Sequence, residues 1–209
     1  MKKGIILNFK KIRLIDNLFI NKYYILLCAV FILGIIVGTI VFDNGNFLTQ
    51  NTKDFFECFI KDHSELKLVT RFFTCVSKYI LILVLYFVSG ASLLGVAITP
   101  FITFWQGTFV GSISSYMYST YKLVGIAYNA IVFVPPLAIF TVCCFFAARY
   151  AIDFSLGIAK LTLPRSRPIS LYSVFKNYCV KYLIFFICAT VCTSIEIILN
   201  ILFLKFFNF

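Results

Sequence analysis

Between Lys78 and Lys122 the chain runs 43 residues, Tyr79 to Tyr121, without a charged side chain. A helix crosses the roughly 30 Å hydrocarbon core of a bilayer in about 20 residues. The run is therefore twice what one crossing needs, and it predicts two helices, 79–99 and 101–121, turning near Pro100. Three more runs follow the same rule. Tyr23 to Phe42 is uncharged over 20 residues, Leu123 to Ala148 over 26 with Pro135-Pro136 inside it, and Tyr182 to Leu204 holds a single charge, Glu196. The prolines predict a kink in the fourth helix. With 61% hydrophobic and 13% charged residues and a mean hydropathy of +0.97, the composition lies far outside the soluble globular range. The expected fold class is all-α: a polytopic membrane bundle of five transmembrane helices, spans 23–42, 79–99, 101–121, 123–148 and 182–204. The first run is too long for a signal peptide and no A-x-A-like cleavage site follows Phe42, so a retained anchor is expected.

Five crossings put the termini on opposite sides, and the distribution of Lys and Arg selects which. With the N-terminus inside, the cytoplasmic segments carry 12 of the 19 cations and the outer segments 7. The basic N-tail, 1–22, and the cytoplasmic loop, 149–181, each net +5, whereas the outer loop, 43–78, balances five cations with Asp43, Asp54, Glu57, Asp62 and Glu65. The net charge of +11 is thus a topology signal, with no nucleic-acid partner implied. Within the outer loop, Asn51 and Asp54 could open one short helix and Ser64 a second, with Leu66, Val69, Phe72, Phe73 and Val76 on one face. These helices either lie on the leaflet or the bundle, or form a docking surface. In the cytoplasmic loop, Arg149 and Asp153 are an i,i+4 pair, and Pro164-Arg165-Ser166-Arg167-Pro168 leaves Arg165 and Arg167 on a turn. Arg149, Arg165 and Arg167 are either positive-inside retention or a contact for anionic lipid or a partner.

Catalytic groups are scarce. His63 is the one histidine, and there is no H-E-x-x-H, G-x-S-x-G, P-loop or G-x-G-x-x-G. No catalytic residues, metal site or cofactor are expected, so the chain reads as not an enzyme. Five of the eight cysteines sit in spans and behave as small apolar side chains. Cys58 and Cys75 could pair if the outer compartment is oxidising, although nothing in the sequence fixes their geometry. The costliest residue is Glu196, whose charge inside a span opposes insertion by roughly 2–3 kcal/mol. Asn200 is one turn away, and Asn129 sits at a comparable depth in span four. Glu196, Asn200 and Asn129 form an expected intramembrane polar cluster, either holding spans four and five together or lining a proton or solute path. Gly34-x-x-x-Gly38 and Gly107-x-x-x-Gly111 have the small-residue spacing that lets helices approach closely, within the chain or between copies.

The glycine-bearing first span Phe31-Ile-Leu-Gly34-Ile-Ile-Val-Gly38-Thr39, the segment Gly90-Ala-Ser-Leu-Leu-Gly95 followed by Pro100, and Gly107-Thr-Phe-Val-Gly111 occur in an order, over nearly the whole chain, that resembles the stage II sporulation protein M family. The resemblance implies a non-catalytic multi-pass protein of the mother-cell septal membrane. It would act during engulfment by recruiting or localising peptidoglycan-degrading enzymes, so that its partners would be membrane lipids, those hydrolases and their anchors. The alternative from the residues alone is a transporter or permease subunit with a polar site around Glu196.

Overall fold

In the computed structural model the described residues are 22–41, 68–161 and 171–204, and all of them outside one turn are helical. Helix α1 is Lys22–Val41. After it come α2 (Leu68–Ala91), α3 (Gly95–Tyr128), a π-helical turn (Asn129–Phe133), α4 (Val134–Leu161) and α5 (Leu171–Leu204). Three described stretches are long and apolar enough to cross a membrane, Lys22–Val41, Gly95–Ala159 and Val174–Phe203, and Cys75–Ala91 is a shorter apolar helix.

The second of those stretches doubles back at Lys122, whose backbone sits at φ 51°, ψ −130°. This conformation costs a non-glycine residue on the order of 1–3 kcal/mol. Past it, Gly125 lies against the carbonyl of Met117, and Tyr128, Val132 and Phe133 pack on Ile113, Tyr116 and Met117. The reversal occurs where the single cation interrupts two apolar runs.

Three expectations are corrected. The hairpin between α2 and α3 turns at Ser92–Leu94, not near Pro100, which lies inside α3. The turn is made by short-range bonds: Ser92 N and Oγ donate to the Ser89 carbonyl at 3.1 and 2.8 Å, and Gly95 N donates to the Ser92 carbonyl at 3.2 Å. A Cβ on Gly95 would collide with the Ser89 carbonyl and with Ser155, so the glycine admits the close approach. Pro100, in the second turn of α3, removes only one helical bond, and Thr103 Oγ1 donates to the Thr99 carbonyl at 3.0 Å. The distortion expected at Pro135-Pro136 is instead the π turn just before them, where Val134 N reaches the Asn129 carbonyl. Widening that turn accommodates the two missing N–H donors and the proline rings.

The third correction concerns the separate helix expected to open at Ser64: α2 runs without a break from Leu68 to Ala91, so that helix and span two are one rod. Nor do the expected apolar positions share one face there, since Val76 is buried while Phe73 is 67% exposed. In keeping with the i,i+4 pairing of Arg149 and Asp153, α4 continues to Leu161, and α5 starts at Leu171. Arg165 and Arg167, Cys58, the helix openings at Asn51, Asp54 and Ser64, and the N-tail up to residue 21 lie outside the described residues.

The core is built by α2, α4 and α5, which are mutual neighbours, with α3 against α2 and α4. Small residues of α4, Cys144, Ala147, Ala148 and Ala151, are fully buried and let the aromatic rings of α5 approach. Tyr178 stacks between Phe87 (5.0 Å) and Phe154 (4.3 Å). The hydroxyls of Tyr178 and Tyr182 donate to the Phe87 and Ala147 carbonyls at 3.0 and 2.9 Å. Leu, Ile, Val and Phe side chains cover the outward faces, a surface suited to lipid tails, since in water each such side chain would forgo roughly 1.5–3 kcal/mol of burial.

Candidate functional site

Two interfaces bring together the residues singled out in the sequence. The first joins α1 to α3 through their paired glycines. A Cβ on Gly34 would run into the Phe104 carbonyl oxygen and stand 3.1 Å from Gly107 Cα; one on Gly107 would meet the Phe31 carbonyl and stand 3.2 Å from Gly34 Cα. Gly38 lies against the Thr108 backbone and Gly111 against that of Ile35. The two small-residue pairs are therefore each other's surface. Ser112 Oγ and Ser115 Oγ donate across it to the carbonyls of Gly38 (3.3 Å) and Thr39 (3.4 Å), polar bonds of the kind that hold membrane helices where hydrophobicity cannot.

The second interface is a polar seam between α2 and α3 that continues to α5. Ser89 Oγ and Thr99 Oγ1 are 3.2 Å apart, Tyr86 Oη and Thr103 Oγ1 2.9 Å, and Tyr86 Oη donates to Gln106 Oε1 at 3.3 Å. Tyr79 Oη donates to Glu196 Oε2 at 2.7 Å, tying α2 to α5. Glu196 is 6% exposed and stands in the wall of a cavity of about 80 Å³ that Lys78, Gln106 and Phe140 also line. Since α2 starts at Leu68, Lys78 is ten residues into the helix, about 15 Å along it, and not at its end. Gln106 is 4% exposed, and its Nε2 is buried without a hydrogen-bond partner.

The three expected cluster residues are held by different partners. Glu196 takes the Tyr79 bond; Asn200 Oδ1 accepts from Tyr128 Oη at 3.0 Å; Asn129 Nδ2 donates to Ser114 Oγ at 3.2 Å. Two of the bonds thus secure α5, one to α2 and one to the residue before the π turn, while the third closes the hairpin at Lys122. Arg149 is at the opposite end, where its guanidinium bonds Asp153 at 3.0 Å and lies 4.5 Å from the Tyr23 ring centroid; one of its nitrogens, Nη1, is buried without a partner. Lys181 Nζ is 3.9 Å from the Tyr150 ring at that same end. Ser155 Oγ there donates to the Ser92 carbonyl at 2.8 Å, locking the hairpin turn to α4. Among the described residues no three His, Cys, Asp or Glu side chains gather closely enough to hold a metal ion, and Cys75 is buried in α2.

Sequence reasoning missed Tyr79, Lys78 and Tyr86. The signal existed: Tyr79, Tyr86 and Ser89 recur on one face of α2, as Thr99, Thr103 and Gln106 do at i, i+4 and i+7 on α3. Lys78 closes off the uncharged run that begins at Tyr79, which masks Tyr79 as a partner for a buried acid.

An all-helical bundle sheathed in apolar side chains, with glycine-to-glycine contact and an internal polar seam, defines an integral membrane protein. The family model for stage II sporulation protein M matches residues 27–199, and the chain belongs to that family, a group of sporulation-related membrane proteins. Comparison with curated proteins gives no match, and comparison with solved structures gives none.

Proposed function

We propose that the protein is a non-catalytic membrane scaffold that recruits or localises peptidoglycan-degrading enzymes at the septal membrane during engulfment. The observation that carries this reading is the family match over residues 27–199. In the same reading the chain crosses the bilayer five times, by α1, α2, α3 up to Lys122, the segment from Leu123 through α4, and α5. The end holding Lys22, Arg149 and Lys181 is cytoplasmic, in keeping with the rule that cations stay inside, and Arg149 there is a contact for anionic lipid headgroups or a partner. Residues 43–67 then face the wall. Affinity purification of the tagged protein from sporulating cells is expected to bring down wall hydrolases. Replacing residues 51–67 by a neutral linker of equal length, which leaves α2 whole, is expected to abolish that recovery; undiminished recovery would remove the loop's role.

A second reading, a transporter subunit, is favoured by one feature, the buried Glu196 carboxyl beside a cavity. Solute flux in proteoliposomes that disappears in Glu196→Ala would place it first.

A further inference from the structure

Tyr150 of α4 sits against two residues of α5 one turn apart: Lys181 Nζ lies 3.9 Å from its ring centroid and the Phe185 ring 6.0 Å away. The pairs Phe154–Tyr178 and Tyr150–Phe185 show that the two helices run antiparallel. Two turns deeper, seven residues along each helix, Cys143 takes the place of Tyr150, and Cys188 and Cys192 take those of Lys181 and Phe185. The side chains meet as this register requires: the Cys188 sulfur is a hydrogen-bond neighbour of Cys143 across the interface and of Cys192 on its own helix. All three thiols are free. Cys143 and Cys192 are buried, whereas Cys188 is partly exposed. It shares a face of α5 with the exposed Ile184, Ile187 and Val191 and lies about 10 Å along the helix from Lys181. A sulfur there is reached through acyl chains and not through water. Of its two neighbours only Cys143 suits a disulfide. Side chains four apart on one helix hold their Cβ atoms about 5–6 Å apart, beyond the roughly 3.5–4.5 Å that a disulfide spans, and a residue on the facing helix is under no such constraint.

We propose that Cys143 and Cys188 are a redox pair that joins α4 to α5 by a disulfide, with a lipid-soluble quinone as the oxidant. The Cys188 sulfur gives up its proton and adds to the quinone ring. The Cys143 sulfur then attacks the Cys188 sulfur; the S–S bond forms, the bond to the ring breaks, and the ring leaves as hydroquinone with two electrons and both thiol protons. Oxidation thus ties the helix that carries Glu196 and Asn200 covalently to α4, in a part of the bilayer that water-borne thiols do not enter. The proposal rests on the membrane-crossing reading and not on the scaffold role, so it stands or falls independently of hydrolase recruitment.

The full-length protein, with a protease site placed in the segment 162–170 between α4 and α5, is reconstituted in liposomes of phosphatidylglycerol and phosphatidylethanolamine, and a fully substituted benzoquinone is dissolved in the bilayer. After quenching with N-ethylmaleimide and cleavage, the two fragments are separated in detergent without reductant. Expected is a joined product that dithiothreitol splits, with one hydroquinone formed per bond, and little of it when hydrogen peroxide is supplied in the water instead. Cys143→Ala and Cys188→Ala are each expected to lose the joined product and Cys192→Ala to keep it. A chain retaining only Cys143 and Cys188 should join as the wild type does. One retaining only Cys144 and Cys188 should not, since Cys144, one residue along, lies in the core with Leu83 and Tyr86. Should a variant fail to fold, the linked peptides of the quinone-treated wild type are read by mass, and Cys188 is expected on Cys143. Fragments that stay separate after quinone, equal joining through Cys144, or linkage of Cys188 to any other cysteine would overturn the proposal; so would peroxide acting as fast as the quinone.

Discussion

The α1–α3 interface and the α2–α3–α5 seam hold the same helix by opposite means. At the glycine pairs backbone meets backbone and no volume remains. At the seam, side-chain hydroxyls, an amide and a carboxyl bridge the helices, with a cavity and a crevice beside them. Lipid tails are as apolar as leucine, so hydrophobic burial cannot choose between helix partners in a bilayer. Close packing and polar pairing are the two remaining sources of specificity; α3 meets α1 chiefly by the first, with Ser112 and Ser115 adding bonds to α1 carbonyls, and meets α2 by the second. The glycine face tolerates no added atom, whereas the polar face leaves open space.

The largest effect is expected at the glycines. Gly38→Leu places a branched side chain against the Thr108 backbone, which neither helix can relieve without separating, and it should lower stability by about 3 kcal/mol or more. Thermal unfolding of purified protein, read by size exclusion, measures this; a midpoint equal to wild type would mean that α1 does not pack on α3. Next is Glu196→Ala, which strips the acceptor from the buried Tyr79 hydroxyl and enlarges the cavity, at a cost of about 2–3 kcal/mol. Glu196→Gln keeps an oxygen in place and should cost less than about 1 kcal/mol. Equal losses in the two variants would assign the residue a role for its charge, against the structural pairing described. Tyr182→Phe removes one buried bond to the Ala147 carbonyl and should cost about 1 kcal/mol. Gln106→Leu is expected to be within about 0.5 kcal/mol of wild type, since it removes a buried donor without a partner and leaves Tyr86 its bond to Thr103.

The two interfaces also differ in how far they could be read from the sequence. Gly34, Gly38, Gly107 and Gly111 announce themselves by spacing, because the physics is local to each helix: small residues one turn apart make a groove. The seam depends on which helices are neighbours and in what register, which charge-free runs do not encode. Glu196 was recognisable as expensive, yet its partner Tyr79 stood beside Lys78, where the uncharged run ended, and α2 extends through that point to Leu68. The reversal at Lys122 was legible for the opposite reason: one cation between two apolar runs fixes its own place at the surface. Pro100 sits inside α3 at the loss of one backbone bond and does not end the helix, while Ser92 and Gly95 have the turn chemistry.

The crossing pattern is tested most directly by accessibility from the two sides. In a cysteine-free background, single cysteines are placed at Leu93, in the α2–α3 turn, and at Thr120, beside the reversal at Lys122, and intact cells with permeabilised walls are treated with a membrane-impermeant maleimide. The account predicts labelling of Thr120→Cys alone until the membrane is opened, after which Leu93→Cys also reacts. Equal labelling of both in intact cells, or labelling of Leu93→Cys alone, would contradict it.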